Sequence, residues 1–214
     1  MTKPLVVIGA GGFGRETLDV VEAMNSERPS FELVGVLDDA PSETNLARLS
    51  FRGVQFLGAI GEWLAQGPRE GFSFAVAVGN PSTRRQLVGA FERANCAPAT
   101  LVHPASTVGA MSELGPGAVV CAGAQISTNV RTGRHVHLNP NATIGHDAAL
   151  GDFVSVNPAA TVSGECVVEE GVLLGAGCVV LQGLTVGRGA VVGAAACVVR
   201  SVDPGQVVKG VPAR

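Results

Sequence analysis

Through the second half of the chain, a residue of the same kind returns at every sixth position without a break. The series runs Val102, Val108, Leu114, Val120, Ile126, Thr132, Leu138, Ile144, Leu150, Val156, Val162, Val168, Leu174, Val180, Val186, Val192 and Val198, and only Thr132 is not aliphatic. Four places after each, the residue is often small, as at Ala118, Ala124, Ala142, Ala148, Ala160, Ala190 and Ala196. The residue just after is often glycine: Gly109, Gly115, Gly133, Gly145, Gly151, Gly175, Gly187 and Gly193. A strand alternates with period two and stops at a turn, and a helix repeats near 3.6, so neither sustains a period of six over about a hundred residues. A triangular solenoid does. Each hexapeptide supplies one short strand and one corner, and three of them close a coil whose strands pair in parallel with those of the next. The aliphatic residue fills the prism and the small residue eases the turn. The glycines after the aliphatic position are expected to carry the left-handed backbone of the corners. The spacing predicts roughly five coils without an inserted loop.

Composition agrees and narrows the classes. The chain has 214 residues, 46% of them hydrophobic, yet only 4% are aromatic, none is Tyr and 29 are Gly. Its core is therefore built from small aliphatic residues. A net charge of −3 supplies no basic footprint for nucleic acid, and no Lys/Arg block marks a membrane surface. The five cysteines (Cys96, Cys121, Cys166, Cys178 and Cys197) are odd in number and contain no CxxC, which argues against a disulfide framework and for buried thiols. No apolar run reaches the length of a membrane span and no signal-peptide pattern opens the chain, so a cytoplasmic protein is expected.

Before the repeat, strands and helices alternate. Residues 5–8 read as a strand, 15–24 as a helix, 33–37 and 54–57 as strands, 62–65 as a helix and 74–78 as a strand. A helix over 81–95 follows, capped by Asn80 or Ser82, and a last strand at 99–102 feeds the repeat. The pattern implies an α/β unit with a parallel sheet over residues 1–101 and the solenoid over 102–214. Between the first strand and helix lies Gly9-Ala10-Gly11-Gly12-Phe13-Gly14, a G-x-G-x-x-G loop. Such a loop lets backbone approach a phosphate, and the helix after it offers free N–H groups to an anion. Asp38, at the end of the next strand, is placed as the acid that meets a ribose hydroxyl in a Rossmann-like site.

Among the four histidines, His146 stands out. Ile144 and Ala148 face into the prism, so His146 points away from it, beside Asp147. A neutral imidazole next to a carboxylate is suited to act as a general base near neutral pH. His135 and His137 flank the inward Val136 and should also project outward, at a subunit seam or into solvent. A β-helix carbonic anhydrase using His135, His137 and His146 on zinc is a competing reading, but it gives the first unit no role. A nucleotide-sensing scaffold without catalysis is another.

The glycine loop, the Val36-Leu37-Asp38-Asp39 strand end, the Ala77-Val78-Gly79-Asn80-Pro81-Ser82-Thr83-Arg84 segment and the hexapeptide repeat together resemble one family over essentially the whole chain. It is the sialic acid O-acetyltransferase and bacillosamine/perosamine nucleotide-sugar N-acetyltransferase group. The resemblance implies a left-handed parallel β-helix, a homotrimer with active sites between subunits, acetyl-CoA as co-substrate and no metal. It implies that Gly9, Ala10, Gly11, Gly12, Phe13, Gly14, Asp38, Asp39, Gly79, Asn80 and Arg84 hold a nucleotide, with Asn139 at the sugar. It makes His146 the base, Asp147 its partner and the Gly164 amide the donor to the acetyl oxygen. Ser163, Gly164, Ala176, Ala194, Lys209 and Pro212 would lie along CoA, with Arg214 nearby. The implied reaction is N-acetylation of a nucleotide-linked amino sugar, with O-acetylation of a sialic acid or related sugar as the alternative. The chain departs from the family's usual histidines at Phe13 and Ser155.

Overall fold

The structure, a computed structural model, describes residues 2–67 and 70–214; Met1, where the first unit was expected to begin, lies outside them. The first half is a four-stranded parallel sheet in the order β2-β1-β3-β4, with β1 Lys3–Ile8, β2 Phe31–Leu37, β3 Ser73–Val76 and β4 Ala97–Pro98. Its helices are α1 Gly12–Glu27, α2 Glu43–Phe51, α3 Ile60–Ala65 and α4 Pro81–Arg93. The strand expected at 54–57 is a single bridge between Val36 and Phe56. Helix α2 was not anticipated. Its start is fixed by Ser42, whose side chain accepts from the Asn45 amide. Asn80 caps α4, accepting from the Ser82 and Thr83 amides. The strand expected over 99–102 divides: the Ala99 amide still donates to Phe74, whereas the Leu101 amide donates to Ala118 in the solenoid.

The second half is a three-faced prism of two-residue strands, with seven, six and four strands on its faces, all parallel. Residues in register lie 18 apart, as the Asn139–Asn157 pair shows. The final step shortens, Val191 pairing with Val207. The aliphatic series from Val120 to Val198 and the small residues four places on form one continuous core. Val108, in the first coil, is the exposed exception.

The glycines correct one expectation. The left-handed corner lies three places after the aliphatic residue, not one. Gly117, Gly123, Gly171, Gly177, Gly183 and Gly189 occupy it with positive φ, and so do Asn129, His135, Asn141, Asp147, Phe153, Ala159 and Glu165. The glycines just after the aliphatic position serve another purpose. A Cβ on Gly109 would meet the Ser127 carbonyl at 2.6 Å, and one on Gly151 would meet the Glu170 amide at 2.6 Å. They are there because the next coil passes too close for a side chain.

The α/β unit packs on the solenoid rather than standing off it. One apolar cluster joins Leu18 and Val21 of α1 to Leu101, Val119 and Cys121. A second joins Phe74 and Phe91 to Phe153. Burial of this surface holds the two parts against each other.

Candidate active site

Two regions carry the chemistry expected of the chain. The first lies at the C-terminal ends of β1, β2 and β3. Gly9, with φ +115°, turns the chain out of β1, and a side chain there would strike the Ala77 carbonyl at 2.8 Å. Gly14 has no room for a Cβ because the Gly9 carbonyl lies against it. Gly11 precedes α1 with no side chain to cap it, and no acidic residue stands in the first turn. The first N–H groups of the helix therefore stay available to an anion. Asp38 braces the loop: its carboxylate accepts from the Ala10 amide at 2.7 Å and the Ala40 amide at 2.9 Å. Asp39 accepts from the Ile60 amide at 2.8 Å and so starts α3. Gly9, Asp38, Asp39, Ala40 and Ile60, with Ile8, Val78 and Thr83, line a cavity of about 220 Å³. Arg15 was not singled out in the sequence. Its guanidinium donates to the Ala10 carbonyl at 3.2 Å and to Asn45 at 2.7 Å, which places a cation at the glycine loop. Its position directly after Gly14 was the signal.

Arg84, expected at the nucleotide, is fully buried, and its guanidinium is turned into the contact between the α/β unit and the solenoid. Gly79 supplies a carbonyl to it at 3.2 Å, and Asn80 serves as a helix cap. Phe13 lays its ring against His137, with centroids 4.6 Å apart. His137 and His135 do point out of the prism, but they are buried beneath the α/β unit and do not reach a seam or solvent. His135 is stacked between Phe74 and Phe153, at 5.8 and 5.5 Å. Burial lowers the His135 imidazole to about 4, and burial beside Arg84 drives that of His137 well below its ordinary value. Neither is available to act as a base or to join His146 on a zinc ion.

The second region is an exposed edge of the prism. His146 stands half-exposed, and its Nδ1 lies 2.7 Å from Asp147 Oδ2. A carboxylate only accepts, so Nδ1 carries a proton, and in the neutral ring the lone pair is on Nε2. Asn129, one coil below, donates to the other carboxylate oxygen at 2.6 Å. Hydrogen bonds from Asn129 first and His146 second hold the Asp147 carboxyl below its usual range. Asn129 was missed in the sequence, although stepping 18 residues back from Asp147 finds it. Gly164 lies under the imidazole: a Cβ there would meet Cε1 and Nε2 at 2.6 Å. The coil ladder uses the Ser163 and Glu165 amides but not that of Gly164. Among the described residues, an amide outside the ladder and the outer nitrogen of an imidazole thus share one edge.

Ala176 and Ala194 are exposed along a different edge, and Lys209 continues that line, its Cβ 3.0 Å from where a Gly193 side chain would begin. Pro212 is exposed in the tail beyond Lys209. Asn139 lies lower on the same edge and donates to Asn157 at 3.1 Å, while its buried Oδ1 has no partner among the described residues. Within one chain, then, the expected acetyl-CoA contacts fall on two edges of the prism. Four of the five thiols are buried. Burial pushes Cys121 up to about 12 and Cys178 up to about 11, which disfavours either as a nucleophile.

Residues 4–91 match the model of the PglD N-terminal domain family. The chain is 32% identical over 170 residues to the GDP-perosamine N-acetyltransferase of Escherichia coli O157:H7, covering 79% of this chain and 74% of that protein. The chain belongs to the bacillosamine/perosamine acetyltransferase group. Solved members share its whole architecture. The acetyltransferase domain of PglB from Neisseria gonorrhoeae FA1090, in complex with acetyl coenzyme A, superposes with a TM-score of 0.89 at 31% identity, over 100% of this chain and 99% of that one. PerB from Caulobacter crescentus, in complex with CoA and GDP-perosamine, gives 0.86 at 26% identity over 99% and 96%. The expected acyltransferase fold, an α/β unit followed by a β-helix, is therefore the fold of the group. Among the described residues no helix is long and apolar enough to cross a membrane.

Proposed function

We propose that this protein transfers an acetyl group from acetyl-CoA to the amine of a nucleotide-linked 4-amino-deoxy sugar, with His146 as general base. One observation carries the assignment of the base. In the chain Asn129–Asp147–His146, each link fixes the next, and Nε2 is left on an exposed edge over Gly164. The amine nitrogen attacks the thioester carbonyl carbon, and Nε2 accepts the proton that the nitrogen must lose. The Gly164 amide is the donor suited to the oxyanion. Collapse of the tetrahedral intermediate breaks the C–S bond, and the imidazolium returns its proton to the departing thiolate. The products are an acetamido sugar and free CoA, and Asp147 stabilises the imidazolium while it exists. The glycine loop, the start of α1 and the Asp38–Asp39 cavity would hold the nucleotide.

The division of the expected CoA contacts between two edges supports a homotrimer, in which the His146 edge of one protomer faces the Ala176–Ala194 edge of its neighbour. A mixing experiment tests this. His146→Ala and Ala194→Trp should each be inactive alone, and co-refolding them should restore turnover in mixed trimers. The reaction itself is tested by thiol release from acetyl-CoA with GDP-, UDP- and dTDP-linked 4-amino sugars. Turnover with at least one is expected. Release only with the corresponding hydroxy sugars would replace this reading with O-acetylation.

A further inference from the structure

The most costly buried group in the molecule is used by none of this chemistry. Arg84 is fully buried and has no carboxylate partner among the described residues. Burial lowers its guanidinium to about 9. Its charge is met only by neutral acceptors drawn from both halves of the chain. On the α/β side, Nη1 donates to the carbonyls of Val78 at 2.9 Å and Gly79 at 3.2 Å. On the solenoid side, Nη1 meets His137 Nδ1 at 3.0 Å, and Nη2 donates to Phe153 O at 2.6 Å, Val154 O at 3.3 Å and Ser155 Oγ at 3.0 Å. Ser155 Oγ donates in turn to Gly79 O at 3.0 Å, closing the ring of contacts. A buried cation without a counter-charge is destabilising unless many dipoles surround it, and an apolar side chain would fill this contact at lower cost.

What the cluster fixes is where the nucleotide cavity sits on the solenoid. Val78 lines that cavity and Gly79 adjoins it, and Thr83 and Leu87 of α4 form its far wall. The opposite wall begins with the glycine loop, whose Phe13 rests on the same His137 ring. Both walls are therefore tied to one pair of solenoid residues, His137 and Ser155, which lie in register on adjacent coils. Arg84 can only donate, so His137 must accept through Nδ1 and stay neutral. The ring is thus held in one tautomer and one orientation.

We propose that Arg84, seated on His137 and Ser155, is a positioning residue that sets the bearing of the nucleotide-holding unit on the solenoid, and hence where the sugar amine meets the thioester. This rests on the function proposed above. A small error in that bearing costs rate without costing either ligand its own contacts, and displacements of about 1 Å have lowered rates about 10²-fold in enzymes.

The test uses the full-length oligomer. Arg84→Met removes every donor at similar length. Ser155→Ala removes one acceptor and one donor and leaves Arg84 its carbonyls, so it stays informative where the first variant fails to fold. The expected result is a fall in kcat, about 10²-fold for R84M and less for S155A. The Kd for free nucleoside diphosphate and for CoA should stay within about twofold, on the additivity expected of contacts the mutation does not touch. Wild-type kcat in folded variants would overturn the proposal. So would a loss of nucleotide affinity as large as the loss of rate, which would make Arg84 a local support of the pocket. Amide hydrogen exchange is read in parallel and needs no substrate. Exchange at residues 77–80 and 153–156 should rise in R84M or S155A, and unchanged exchange would sink the clamp whatever the enzyme acetylates. Failure of the wild-type protein to acetylate any amino sugar, with exchange rising as expected, would refute the proposed function alone.

Discussion

His137, on a strand, and His146, at a corner of the same solenoid, both point out of the prism. His137 is covered, faces a guanidinium and is kept neutral as an acceptor. His146 is open, faces a carboxylate through Nδ1 and presents Nε2 to the surface. The same side chain is a structural acceptor in one place and a candidate base in the other. The partner of Nδ1 decides which: a donor-only group beside it consumes the lone pair, and an acceptor-only group turns the other lone pair outward.

The largest expected effect tests the His146 side of this contrast. His146→Ala should lower kcat about 10²–10⁴-fold, the range for loss of a positioned general base. Its unfolding free energy in urea should change by no more than about 0.5 kcal/mol, as for an exposed residue. A variant that keeps full thiol release would remove His146 from the mechanism. Next is Gly164→Ala, whose methyl group must displace the imidazole it would touch at 2.6 Å. A rate loss of about 10²-fold with unaltered circular dichroism is expected, and wild-type kinetics would show that the ring works from another position. For His137→Ala the effect moves from rate to folding. A cavity and an unmet donor should cost about 2–4 kcal/mol in urea unfolding, and a loss as small as that of His146→Ala would erase the distinction.

The smallest effect is a pH dependence. His135 titrates near 6.5 when unfolded and near 4 when folded, and His137 is lowered in the same direction. The unfolded chain therefore binds more protons between those values. The stability these rings contribute is complete above pH 6.5 and is lost as the pH falls toward 4. Urea midpoints measured from pH 7.5 to 4 should decline, and His135→Phe, which keeps the stack, should flatten the slope. An identical slope in that variant would assign acid sensitivity elsewhere.

How much of this could be read in advance depended on how local its cause is. The solenoid was legible because its packing constrains every sixth residue, from Val120 to Val198. The outward direction of His146 followed from the same period. The burial of His135 and His137 did not, because what covers them is a unit encoded elsewhere in the chain. The surroundings of Arg84 were hidden for a related reason: its solenoid contacts lie 53 to 71 residues away in the sequence. Helix α2 escaped because its nine residues bury only Leu49, which leaves little amphipathic signal. The glycines just after the aliphatic position were assigned the wrong task because the period marks a recurring residue without saying whether backbone torsion or a neighbouring coil requires it.

The fixed step between coils has a further consequence. Each turn raises the edge by about 4.8 Å, the spacing of paired strands, so length along the prism is counted in whole turns. Excising one eighteen-residue turn between Gly164 and Lys209 would shorten the path for an extended donor by one such increment and leave Asn129, Asp147 and His146 untouched. The molecule is in effect a graduated rod, and the reach of the thioester it accepts can be reset by adding or removing graduations without redesigning the group that takes the proton.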